Sequence, residues 1–126
     1  MKFRIKEVEK EDWDELLIWR NDEFTRKMSK NKQRVQYIFL HNQHKVGTIR
    51  IDKLNDGFEE FSYTINPLFR GKGYGTLMME LYLFDKNGKY RCEIKPENVG
   101  SIKMVEKNGF TYKSTNTGIS VYEFIK

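Results

Sequence analysis

The residues with the clearest chemical meaning form one short run, Arg70-Gly71-Lys72-Gly73-Tyr74-Gly75. It follows an alternating apolar segment and opens a segment of helical spacing. The pattern therefore predicts strand, loop and helix in that order. In such a place the loop's backbone N–H groups and the positive end of the helix converge on one spot, and glycine lets the backbone come close. The chemistry is anion binding, in a cradle suited to a pyrophosphate, with charge added by Arg70 and Lys72. Taken by itself, the run reads equally as a glycine-rich turn with incidental charge. Its spacing excludes two other phosphate loops. It is not Gly-x-x-x-x-Gly-Lys-Ser/Thr, and Gly71, Gly73 and Gly75 do not fit Gly-x-Gly-x-x-Gly.

Other reactive side chains are few. Cys92 is the single cysteine, so no internal disulfide forms, and with two histidines it cannot build a conventional zinc site; no metal is expected. Cys92 falls in a strand pattern and reads as core. His41 and His44 flank a turn. Glu59 and Glu60 are adjacent on a predicted strand, so they face opposite sides.

The elements that must position these residues belong to one domain, expected over 1–126. The chain is 38% hydrophobic with 9 Phe, 2 Trp and 7 Tyr, which suits a packed core rather than a disordered tail. Lys plus Arg is 23 and Asp plus Glu 18, a net charge of +5. That excess suits an anionic small ligand and is weaker than a dedicated nucleic-acid binder carries, although interleaved aromatics leave such a domain as a rival. The first residues lack an apolar signal core, and no uncharged stretch approaches ~18 residues, so a cytoplasmic protein without a membrane span is expected.

Residues 3–8 begin with strand alternation. Asp12 and Glu15 have capping-box spacing ahead of a helix carrying Trp13, Leu16, Leu17 and Trp19 and ending near Asn21. Phe24 and Met28 suggest a second short helix. From Gln33 to Ile65 the period is two, with Val35, Tyr37, Phe39 and His41 on one face, a turn at 42–44, and a hairpin signal at Asn55-Asp56-Gly57. Pro67 ends the third strand of this meander. Leu77, Met78, Leu81 and Phe84 give the helix after the glycine run its stripe. Tyr90–Ile94 is a strand, and Ser101–Lys107 is a helix with Ile102 and Val105 inward, stopped by Asn108-Gly109. A final hairpin turns at 116–118. The class is mixed α/β, with a parallel crossover at residues 58–94.

Two linked motifs carry a family resemblance. The first is the run from Arg70 to Gly75 after Asn66-Pro67-Leu68-Phe69. The second is Asn98-Val99-Gly100-Ser101, continuing to Lys107-Asn108-Gly109-Phe110. Their form and separation, and the element order along nearly the whole chain, resemble the GNAT superfamily of acyl-CoA-dependent N-acyltransferases. That resemblance implies a GNAT fold, with a mostly antiparallel sheet, one parallel crossover and flanking helices. It implies acetyl-CoA as co-substrate, with its pyrophosphate held by Arg70, Gly71, Lys72, Gly73, Tyr74 and Gly75. The pantetheine arm would pair with the strand edge at Ile65, entering a splay beside Tyr90–Ile94, and would meet Asn98 and Ser101 from the other side. Trp19-Arg20-Asn21 would form the acceptor-side wall, as in ribosomal-protein N-terminal and amino-sugar acetyltransferases; a buried Trp beside a solvated Arg fits the segment as well.

The reaction would move an acetyl group to a primary amine, as a monomer or homodimer. Amino sugars come first as acceptors, protein N-termini next, and polyamines last, because no acidic cluster is visible in the sequence. An amine attacks a thioester only when neutral, yet a lysine-like amine has a pKa of ~10.4, so a base is needed. Glu60, on the strand before the loop where many relatives carry a Glu, is the candidate; its other reading is a solvated strand carboxylate. A backbone N–H near Ile65 would serve the oxyanion. One position departs from the family. Where many relatives place a Tyr to protonate the leaving thiolate, this chain has Val105. Ser101, Tyr74 or water could take that role. A thiolate is a tolerable leaving group, so catalysis without a dedicated acid stays open, and the rival reading is an acyl-CoA-binding sensor without catalysis.

Overall fold

A computed structural model describes residues 3–12, 15–16 and 34–126. These residues form a seven-stranded sheet in the order β1-β2-β3-β4-β5-β7-β6. The strands are β1 (Phe3–Glu7), β2 (Arg34–His41), β3 (His44–Lys53), β4 (Glu59–Ile65), β5 (Lys89–Ile94), β6 (Thr111–Asn116) and β7 (Ile119–Ile125). Two helices are described in full, α1 (Tyr74–Leu83) and α2 (Val99–Lys107). Every neighbouring pair is antiparallel except β4 and β5, which the α1 crossover joins in parallel.

Tight turns set the register of the hairpins. Asn42 and Gln43 both take positive φ, 51° and 72°, and so do Thr117 and Gly118, at 48° and 77°. Two consecutive left-handed residues match the twist of paired strands. Between β3 and β4 the Asp56 carboxylate accepts the Phe58 N–H at 3.1 Å, and Gly57 takes φ 88°.

Both helices cover one face of the sheet. Met78, Met79, Tyr82 and Leu83 of α1 and Met104 and Val105 of α2 pack on Phe39, Ile49, Phe61, Tyr90 and Cys92. The stripe of α1 is thus shifted from the one expected: Phe84 lies beyond the last turn and is 81% exposed. The Asn108 side chain ties the helices together, donating to Thr76 O and Met104 O at 3.3 and 3.0 Å. Gly109, with φ 94°, ends α2 as expected.

The opposite face is apolar at one end, where Ile38 and Leu40 pack with Leu16. β2 is therefore buried on both sides, whereas simple alternation assigns its burial to one. Asp12 lies just ahead of the helical residues Glu15 and Leu16. Its carboxylate is buried, accepts the Glu9 N–H at 2.9 Å and pairs with Lys6 and Lys45 at 3.4 and 3.0 Å. Burial alone would raise its pKa; those partners outweigh that and hold it low. Glu15 also meets Lys45, at 3.1 Å. Glu15 and Leu16 are helical, and the rest of the two expected N-terminal helices, including Trp19, Arg20 and Asn21, lies outside the described residues.

Candidate active site

The parallel pair β4–β5 is matched at two positions only, Glu59 with Tyr90 and Glu60 with Arg91. β4 runs for seven residues and β5 for six, so beyond Glu60 and Arg91 they diverge. The gap is a groove with two connected parts. The larger, about 550 Å³, runs from Tyr63, Thr64 and Ile65 to the glycine loop. The smaller, about 240 Å³, lies between Phe61–Tyr63 and Cys92–Lys95. Tyr63, Asn98, Ser101 and Met104 line both. The larger volume alone is in the range of cofactor sites.

Hydrogen-bond alternation points β4 into this gap. Asn66 N–H donates to Val46 O of β3 at 2.7 Å. Alternate residues of an antiparallel strand direct their main-chain groups to opposite sides, so those of Ile65 and Tyr63 face the groove. The Ile65 carbonyl accepts from Arg70 Nε at 3.1 Å, which ties the glycine loop to the end of β4.

Both helix N-termini converge on the same space, which concentrates positive potential there. The α1 cap is Gly73, with φ 82°, and Gly71 has φ 77°. A Cβ at either would meet nothing within 4 Å, so both leave the cradle open. Gly75 differs. A Cβ there would stand 3.0 Å from Met104 Sδ, tighter than ordinary contact, and 3.5 Å from the Tyr63 ring, so Gly75 faces the side chains of α2 and β4 instead of open space. The α2 cap is Asn98, whose Oδ1 accepts the Ser101 N–H at 3.2 Å.

The fold thus brings Ile65, Arg70, Gly71, Gly73, Tyr74, Gly75, Asn98 and Ser101 together around one groove. Lys72 is not on its wall; its Nζ lies over the Phe69 ring, 5.9 Å from the centroid. Tyr74 is braced from behind by His41, whose Nδ1 is 2.8 Å from the phenol oxygen. Phe69, Thr76 and Met104 also line the groove without having been singled out. Their proximity to the two motifs is the only signal the sequence holds.

Glu60 lies on the sheet face away from α1 and α2, among polar groups. Arg34 pairs with Asp52, Arg50 Nε lies 3.3 Å from Asp52, and Arg50 Nη2 donates to Ser62 at 3.2 Å. Burial raises the Glu60 pKa, and Glu93 and Asp52 raise it further against the opposing pull of Arg50. A carboxylate so placed holds a proton more readily than a solvated one. Glu60 does not line the groove; its neighbour Glu93 does. Glu59 lies on the helix face, where its charge acts on Tyr37, Tyr82 and Tyr90. Cys92 is buried in the core, and that burial pushes its thiol well above the usual range.

Residues 4–110 match the model of the acetyltransferase (GNAT) family. The chain belongs to that family. No functionally curated protein matches it in sequence. Solved structures share its fold at low identity. A domain from Methanocaldococcus jannaschii DSM 2661 is 22% identical with a TM-score of 0.81, over 99% of both chains. The Campylobacter jejuni N-acetyltransferase PseH in complex with acetyl coenzyme A is 14% identical with a TM-score of 0.79, over 99% of both. The spermidine/spermine N-acetyltransferase SpeG from Vibrio cholerae is 15% identical with a TM-score of 0.77, over 98% of this chain and 92% of that one. The seven-stranded mixed sheet with its single parallel pair is the GNAT fold.

Proposed function

We propose that this chain, as a single domain over 1–126, is an N-acetyltransferase that moves the acetyl group of acetyl-CoA to a primary amine. The observation that carries the reading is the splayed groove, with the glycine loop at one end and Asn98 and Ser101 on its far wall. Backbone N–H groups of the loop and Arg70 would hold the pyrophosphate, and the Ile65 and Tyr63 main chain would pair with the pantetheine amides. Lys72, off the wall, would contribute charge at the mouth. Among the described residues no cluster of His, Cys, Asp or Glu suits a metal ion.

The chemistry follows from the placement. Glu60 takes a proton from the acceptor ammonium, through Glu93 or a water between them and the groove. The neutral nitrogen attacks the thioester carbon, and its oxygen gains charge beside a main-chain N–H near Ile65. The C–N bond forms, the C–S bond breaks, and CoA leaves as a thiolate that must gain a proton.

Two acceptor classes fit. Amino sugars and N-terminal peptides suit the mixed charge of Arg50, Asp52, Ser62 and Glu60. The fold also brings Glu60 and Glu93 together from separate strands. That pair favours a second ammonium, so polyamines rank higher than the sequence alone would place them. Mass spectrometry of products from acetyl-CoA with a nucleotide-linked amino sugar, a short peptide and spermidine tests the reading. An acetylated amine with stoichiometric free thiol is expected. CoA binding without thiol release for any amine would favour an acyl-CoA sensor.

A further inference from the structure

The departing thiolate needs a proton source, and the family's tyrosine position does not supply one. Val105 is fully buried in the core between the helices and the sheet. Its side chain borders the smaller part of the groove but carries no proton to donate. A phenol reaches the groove from a different element. Tyr63 is on β4, with its ring beside Gly75 and its hydroxyl 2.6 Å from Ser101 Oγ on α2. Tyr63 and Ser101 line both parts of the groove, at the junction between them. Ser101 is itself buried, and its N–H is held by Asn98, so the hydroxyl that meets Tyr63 is fixed.

We infer that Tyr63 protonates the sulfur of departing CoA, with Ser101 as the positioning residue that holds its hydroxyl in the groove. The inference rests on the proposed acetyl transfer. As the C–S bond breaks, its electron pair goes to sulfur, and the phenol proton follows to give free CoA thiol. The tyrosinate regains its proton from the solvent side, through Ser101 or water. The amine proton taken up on the Glu60 side balances the exchange. The geometry suits the role: the 2.6 Å contact orients the phenol, and Gly75 leaves its ring room.

The isosteric substitution Tyr63→Phe removes the proton and keeps the ring. We measure CoA affinity by calorimetry and the pH profile of kcat with acetyl-CoA and whichever of spermidine, a nucleotide-linked amino sugar or a tetrapeptide the parent acetylates. The expected result is unchanged CoA affinity and a kcat lowered about 100-fold, the scale of a lost general acid. The descending limb at high pH, present in the parent, is absent from Tyr63→Phe. Ser101→Ala removes the contact that orients the phenol, so kcat is expected to fall while that limb remains. A Tyr63→Phe protein that turns over like the parent overturns the inference. So does one whose profile is lowered uniformly with its basic limb intact, the mark of a structural role. A parent that binds CoA and acetylates none of the three amines refutes the proposed function, and the inference with it.

Discussion

Glu60 is placed where two demands meet. A base for an ammonium works best when its own proton affinity is raised, and burial beside Glu93 and Asp52 raises it. Glu60→Gln is expected to lower kcat/KM at neutral pH by ~100-fold or more and to recover partly at high pH, where more of the amine is neutral. Glu59→Gln, on the other face, is the control and keeps parental rates. Stability moves the other way. The folded-state pKa lies above the unfolded one, so as pH rises the unfolded chain loses this proton first. The stability Glu60 contributes is present below the ordinary carboxylate range and fades as pH climbs past the raised value. Thermal melts should therefore show Glu60→Gln gaining on the parent between acid and neutral pH. A parent that gains on Glu60→Gln over that interval would mean Glu60 is not desolvated.

The groove exists because β4 and β5 separate, and the elements around it hold that separation fixed. Gly47 of β3 sits against β4 so closely that a Cβ would stand 2.8 Å from the Thr64 carbonyl oxygen. Gly47→Ala should push β4 outward and cost about 1–3 kcal/mol in denaturant melts. Unchanged stability would show that the β3–β4 contact is loose. At this scale much of the fold was legible. The period-two run, the left-handed turn residues, the glycine loop and the Asn108-Gly109 stop all act locally, and local chemistry is what a sequence displays. The splay was carried by the family resemblance and not by periodicity, because it is the point where two strands cease to pair. Burial of β2 on both faces depends on what covers the sheet. The Tyr63–Ser101 contact joins residues 38 positions apart, and the Glu60–Glu93 pair joins two strands across a helix. Neither leaves a local pattern. Arg70 showed its charge but not its hold on Ile65.

Across the whole molecule, the proposed function requires that this groove bind the CoA moiety with its pyrophosphate on the glycine loop. The net charge of +5 and the two converging helix N-termini favour a polyanion, so affinity should weaken as salt rises. Gly73 offers the sharpest probe, since a Cβ there meets no neighbouring atom; its φ of 82° strains any other residue, and Gly73→Ala carries that strain without the charge. The direct measurement is calorimetric titration of CoA into the parent, Gly73→Ala and Gly73→Asp. The expected result is binding by the parent, weaker binding by Gly73→Ala, and loss of binding by a folded Gly73→Asp, whose carboxylate opposes the pyrophosphate. A folded Gly73→Asp that binds CoA with parental affinity would contradict it.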